Sequence, residues 1–178
     1  MRIVGGKYKG RMFNPGKRFS ARPTTDIAKE GLFNILENRY DFSTKKVLDL
    51  FSGTGSMAYE FLSRGCEQAT LVEINFSHYK FILNVLENLQ IENARVFRAD
   101  VFKFLKKSGD RFNIIFADPP YDLTAFETIP DAVLSTGLLA DEGVFILEHP
   151  KEYSFTSHSY FREVRHYGKV NFSFFEKK

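Results

Sequence analysis

Cysteine is nearly absent. Cys66 stands alone in 178 residues, so the chain can close no intrachain disulfide and is not a disulfide scaffold. A reducing compartment is the simplest setting for it, and a cytoplasmic location is expected. Long apolar runs are missing as well: a stretch such as VFIL at 144–147 is far shorter than the ~18 residues that span a bilayer. The first residues lack the apolar core of a secretory signal. His78, His149, His158 and His166 fall at no metal-ligand spacing, with each other or with Cys66, so no metal is expected and each histidine reads as a surface or satisfied core residue. No dedicated interface segment stands out, and a monomer is expected.

What remains is ordinary for one globular domain, with 43% hydrophobic and 26% charged residues. A chain of this length buries enough surface to stand without disulfides or a structural metal. Its charge, however, is unevenly spread. Residues 1–25 contain Arg2, Lys7, Lys9, Arg11, Lys17, Arg18 and Arg22 with no Asp or Glu, whereas the other 153 residues carry 18 basic and 22 acidic side chains. An acid-free basic arm on a mildly acidic body suits a polyanion such as nucleic acid. An organelle transit peptide fits less well, because the stretch has one serine and four glycines.

The runs RIVGG and KYKGRMF look like two strands turning through Gly5-Gly6. A Gly/Pro/Arg loop then leads to Thr24-Thr25-Asp26, any of which can cap a helix running to about Leu36 with Ala28, Leu32, Ile35 and Leu36 on one face. From Lys46 the pattern is regular. Strands are expected at 47–51, 69–73, 94–98, 112–117 and 143–148. Helices alternate with them: one carrying Met57, Ala58, Phe61 and Leu62, one with Tyr79, Ile82, Leu83, Leu86 and Leu89, one at 101–107 and one near 124–135. Strands alternating with helices imply an α/β fold with a parallel sheet covered on both faces. The end breaks the rule: FREVRHY, Gly168 and KVNFSFF read as an antiparallel hairpin, with Val170, Phe172 and Phe174 on one side and Asn171 and Ser173 on the other. No linker divides the chain.

Chemistry concentrates where the strands end. Asp49-Leu50-Phe51-Ser52-Gly53-Thr54-Gly55-Ser56 carries a strand into a helix, and glycines at 53 and 55 let the backbone turn and approach a ligand closely. With Glu73 twenty residues beyond Gly53, the segment also fits a dinucleotide fingerprint, so NAD binding by an oxidoreductase is one reading. Asp49, Glu73, Asp100 and Asp118, however, all fall at strand carboxyl ends and gather at one crevice. Four carboxylates repel a pyrophosphate and suit a ligand with an amine, a sulfonium and a ribose, which turns the reading toward S-adenosylmethionine. Asp118-Pro119-Pro120-Tyr121 then supplies a rigid turn after a buried strand. It presents the Asp118 carboxylate and the Pro119 carbonyl as acceptors for an exocyclic amine, with a ring able to stack on a flat base for roughly 1–3 kcal/mol.

DLFSGTG, the acids at 73 and 100 and DPPY resemble the motifs of class I S-adenosylmethionine-dependent methyltransferases that act on amino groups. RIVGGKYKGR followed by RPTTDIAKEGLFNIL resembles, more narrowly, the bacterial 16S rRNA (guanine-966-N2) methyltransferases, and the likeness runs from about Arg2 to the final hairpin. Adenine-N6 and cytosine-N4 enzymes share DPPY and stay as alternatives, as does a non-catalytic RNA-binding module. The resemblance implies a Rossmann-like methyltransferase sheet at 41–178, preceded at 1–40 by a basic hairpin and helix forming an RNA-binding arm. It implies that Gly53 and Gly55 pass under the methionine part of the cofactor and that Asp49 helps hold its amino group. Glu73 would bind its ribose hydroxyls and Asp100 with Val101 its adenine, and Ser52, Thr54, Ile74 and Asp118 would also belong to the cofactor site. Asp118, Pro119, Pro120 and Tyr121 would orient the guanine amine for attack on the sulfonium methyl, much of the rate coming from positioning. Lys7, Lys9, Arg11, Lys17, Arg18 and Arg22 would contact 16S rRNA, whether naked, in an assembly intermediate or in the small subunit. Cys66 lies past the first helix, which sets aside a covalent pyrimidine-C5 mechanism.

Overall fold

The computed structural model describes residues 1–16 and 24–177. In chain order its elements are α1 (Asp26–Arg39), β1 (Lys46–Leu50), α2 (Ser56–Ser63), β2 (Gln68–Glu73), α3 (Phe76–Asn88), β3 (Ala94–Arg98), α4 (Val101–Lys107), β4 (Phe112–Ala117), α5 (Ile129–Leu134), β5 (Leu139–His149), β6 (Phe161–Tyr167) and β7 (Val170–Glu176). The seven strands form one sheet in the order β3-β2-β1-β4-β5-β7-β6. The first five are parallel, and β7 lies antiparallel between β5 and β6. Strand order reverses between β1 and β4, so the crevice at their carboxyl ends is where a ligand of this architecture sits.

Side-chain alternation sorts the sheet into two faces. Val47, Ile114, Phe116, Val144, Ile146, Phe172 and Phe174 pack with Leu32, Phe33, Phe61, Ile82 and Val85 of α1, α2 and α3. Leu48, Leu50, Ile115, Ala117, Phe145, Leu147 and Phe175 pack with Val101, Leu105, Ile129 and Val133 of α4 and α5. Strand β7 has both faces in these cores: Asn171 and Ser173 point away from Phe172 and Phe174, on the face of Phe175, and are buried like them. The helix expected near 124–135 is a single 3-10 turn followed by α5, and β5 starts at Leu139, earlier than the GVFILE run. On α3, Leu83 is exposed and Val85 takes the core position.

The expected N-terminal hairpin shrinks to one antiparallel bridge, Arg2 to Met12. Between them the chain turns, with Gly6 and Gly10 at positive φ, and the amides of Lys7 and Tyr8 donate to the carbonyl and hydroxyl of Ser63 at 2.6 and 2.9 Å. These backbone groups bond to the end of α2, where helix geometry leaves acceptors unpaired, instead of to a partner strand. Lys7, Lys9 and Arg11 therefore do not alternate along a strand. They are exposed around a turn, and Lys17, Arg18 and Arg22 lie outside the described residues. Residues 1–40 share the main core, with Ile3, Ala28, Leu32, Phe33 and Leu36 buried against the sheet helices.

A buried lysine, invisible to the apolar pattern, fastens α1 to α2. Lys29 is 1% exposed and its Nζ donates to Glu60 at 3.2 Å and to the Arg2 carbonyl. The Glu60 carboxylate also accepts the Val4 amide at 2.8 Å and pairs with Arg64.

Candidate active site

The loop after β1 is tied to β2 before it reaches the crevice. The Ser52 amide donates to the Val72 carbonyl at 3.0 Å, and its hydroxyl donates to the Asp49 carbonyl at 2.7 Å and accepts the Val72 amide at 3.0 Å. Phe51, just before that anchor, takes φ 57°, unusual for a side chain of its size. Gly53 and Gly55 follow at φ 55° and 80°. A Cβ on Gly55 would come within 2.6 Å of the Tyr59 hydroxyl, whereas one on Gly53 would make only an ordinary contact with the Phe51 carbonyl at 3.9 Å. One glycine is thus required by packing from below, and the other by backbone conformation, leaving room in front.

The acids surround this loop. Glu73, at the end of β2, accepts the amides of Gly53 and Asn75, each at 2.7 Å. Asp49 is 2% exposed and accepts the Ala58 amide at 3.3 Å, near the start of α2. Its burial outweighs that bond, and the nearby Glu73 adds to the effect, so its pKa is pushed up to about 8. Asp100 caps α4 by accepting the Lys103 amide at 2.9 Å. Asp118 follows β4, its pKa driven well above the usual carboxylate range by burial and then by Glu148 and Asp49. Pairing of Asp49 with Phe116 and of Ala117 with Leu147 sets Asp49, Asp118 and Glu148 in a row at adjacent strand ends on the helical face that carries α1 to α3.

These groups line one crevice of about 810 Å³. Asp49, Ser52, Gly53, Thr54, Glu73, Ile74, Asp100, Val101, Asp118, Pro119, Pro120 and Tyr121 all face it; of the predicted cofactor and catalytic residues only Gly55 lies behind. None of Lys7, Lys9 and Arg11 reaches it. Tyr121 is 41% exposed at the mouth, edge-on to Phe126 at 6.4 Å. Phe126 in turn stacks on Tyr153 at 4.2 Å, with Phe155 beyond. The motif-free stretch after Glu148 is therefore the buttress of the DPPY turn.

Sequence reasoning missed other residues of this crevice, among them Met1, Thr24 and Glu148. Glu148 had a signal, since it lies at the carboxyl end of β5 as the other acids lie at the ends of their units. Among the described residues, His, Cys, Asp and Glu form no group that could hold a metal, and no helix is long and apolar enough to cross a membrane. His149 is buried and satisfied: its ring nitrogens bond to the Pro150 carbonyl and the Ser173 hydroxyl at 2.9 and 2.8 Å, and burial lowers its pKa, keeping it neutral. Burial pushes the Cys66 thiol up to about 12, so it is no nucleophile.

A parallel sheet ending in an inserted antiparallel strand, a glycine loop at the reversal of strand order and DPPY on the neighbouring strand make this a class I methyltransferase fold. The chain belongs to the family described as Conserved hypothetical protein 95, which it matches over residues 1–176. It is 34% identical to ribosomal RNA small subunit methyltransferase D of Escherichia coli strain K12 over 152 residues, covering 85% of this chain and 76% of that protein. Its structure resembles that of the Escherichia coli protein yhhF with a TM-score of 0.87 and 29% identity, over 100% of this chain and 98% of the other. A hypothetical protein of Thermus thermophilus gives a TM-score of 0.86 and 31% identity, over 99% of both chains.

Proposed function

We propose that the chain transfers a methyl group from S-adenosylmethionine to the exocyclic N2 amine of a guanine in 16S rRNA, as a monomer in the cytoplasm. The observation that carries this reading is the convergence, in one crevice, of the glycine loop, the strand-end acids and the DPPY turn. The donor set fits the cofactor. The room beside Gly53 admits its methionine part, Asp49 suits its ammonium group, Glu73 its ribose hydroxyls, and Asp100 and Val101 its adenine, with Ile74 also lining the crevice. When bound, the cofactor supplies a methyl carried on a cationic sulfur.

The chain's own residues do the rest. Asp118 and the Pro119 carbonyl accept the N–H groups of the amine and hold its nitrogen where the lone pair leaves the plane of the base. That lone pair is otherwise delocalised into the ring, so orientation is a large part of the catalysis. Tyr121, backed by Phe126 and Tyr153, offers a face to a base turned out of its stack. Residues 1–40 serve as the RNA-facing part, with Lys7, Lys9, Arg11, Lys17, Arg18 and Arg22 on phosphates, and 41–178 as the methyl-transfer body. The test is nucleoside mapping of rRNA from cells with and without the gene. One N2-methylguanosine of 16S rRNA should vanish and return with the intact gene, but not with Asp118→Ala; a lost N6-methyladenosine or N4-methylcytidine instead would overturn the assignment.

A further inference from the structure

We infer that Glu148, oriented by Thr24, selects guanine by accepting the N1–H of its Watson–Crick edge while Asp118 and the Pro119 carbonyl take the N2 amine. The inference rests on the guanine-N2 reading above and adds a residue that it did not use. Glu148 is 3% exposed yet lines the crevice, at the end of the strand next to the one that carries DPPY. Adjacent strands lie about 4.8 Å apart, a spacing over which neighbouring N–H groups of one flat base can each meet their own acceptor. The Thr24 hydroxyl donates to Glu148 Oε2 at 2.8 Å, linking residues 124 apart in sequence. That bond fixes the carboxylate from the start of α1, where the chain arrives from the basic arm.

The chemistry discriminates by donor and acceptor. Guanine N1 carries a proton, and a carboxylate accepts it. In adenine and in 2-aminopurine N1 is an acceptor, and two acceptors facing each other in a closed site leave both unpaired. Sites built to bond a particular N–H reject analogues that lack it by large factors. An amide in place of the carboxylate can turn its NH2 toward such an acceptor. The row of Asp49, Asp118 and Glu148 thus divides into a cofactor end, an amine end and a base-reading end.

2-Aminopurine tests this, because it keeps the 2-amino group while N1 loses its proton together with the 6-oxo group. The loss of O6 is common to wild type and Glu148→Gln, so the change in preference between them reads the N1 contact. Small-subunit RNA is assembled by splinted ligation with guanine or 2-aminopurine at the position mapped for the wild-type enzyme, and kcat/KM for N2-methylation is measured with each. The wild type should prefer guanine by about 100-fold or more, and Glu148→Gln should shrink that preference by about 20-fold or more, while S-adenosylmethionine affinity stays within about threefold. Thr24→Val should shrink it less, by roughly three- to tenfold, and Thr24→Ser should restore it. The preference is a ratio taken on one preparation, so partial misfolding does not move it. A merely structural Glu148 lowers both rates together. N2-methylguanosine formation with an unchanged ratio in Glu148→Gln overturns the inference alone; no N2-methylguanosine from the wild type overturns it together with the proposed function.

Discussion

Asp49 and Asp118 hold their protons in the folded, ligand-free chain at pH values where the unfolded chain has released them. The folded state therefore binds more protons, and stability must fall as pH rises from the ordinary carboxylate value of 3.8 toward about 8 for Asp49. Asp49→Asn should flatten that decline in urea midpoints. The cationic cofactor favours the ionised forms, so its binding near neutral pH should release protons. Titration calorimetry in two buffers of different ionisation heat checks this, and equal heats would contradict it. Asp118→Ala should abolish methyl transfer with cofactor affinity kept within a few-fold; retained turnover would remove Asp118 from the chemistry. Tyr121→Ala should slow turnover more mildly and Tyr121→Phe least, since stacking uses the ring. Charge-assisted hydrogen bonds are worth roughly 1.5–3 kcal/mol, so Glu73→Ala should weaken cofactor binding by about 10- to 150-fold and leave RNA binding in place. Filter binding of RNA beside cofactor titration separates the two effects.

Helices α1 and α2 are joined by an ion pair that hydrophobic periodicity cannot reveal. Lys29 reads as a polar position in the sequence, and its burial comes from Glu60, thirty-one residues away. Breaking a buried pair from one side costs about 3–5 kcal/mol, and at this chain length each kcal/mol moves Tm by about 2–4 °C. Lys29→Ala should thus lower Tm by roughly 6–20 °C in a thermal melt, far more than the exposed pair of Arg111 and Asp141. The alternation of strands and helices from Lys46 onward was legible because each element carries its own period, and the glycine loop and DPPY because their residue types are restrictive over short spans. The N-terminal turn was not. Gly5-Gly6 is a sound local hairpin signal, but the amides beyond it bond to Ser63, and no local rule reports a partner fifty-five residues away. Glu148 carries the same signal as Asp49, Glu73 and Asp118, an acid at a strand end, but the HPKEYSFTSHSYF stretch that follows it has no motif to set it apart.

At the scale of the molecule, a basic turn is fastened to the helix that begins at the glycine loop. Lys7, Lys9 and Arg11 are exposed around that turn, so all three can reach phosphates without sharing a strand face. Lys7→Glu, Lys9→Glu and Arg11→Glu together should lower RNA affinity at least tenfold and flatten its log–log salt dependence by about 2–3 units, with cofactor binding unchanged. Unchanged affinity and slope would make the arm a solvated surface. The placement of β7 bears on something else, the order in which the chain is made. Its neighbours β5 and β6 both precede it, so during synthesis the long apolar edge of β5 stands open until Val170–Glu176 arrives and wedges between them. Until then the nascent chain displays a strand edge of the kind that recruits other chains, and closure of the sheet is deferred until that strand has left the ribosome.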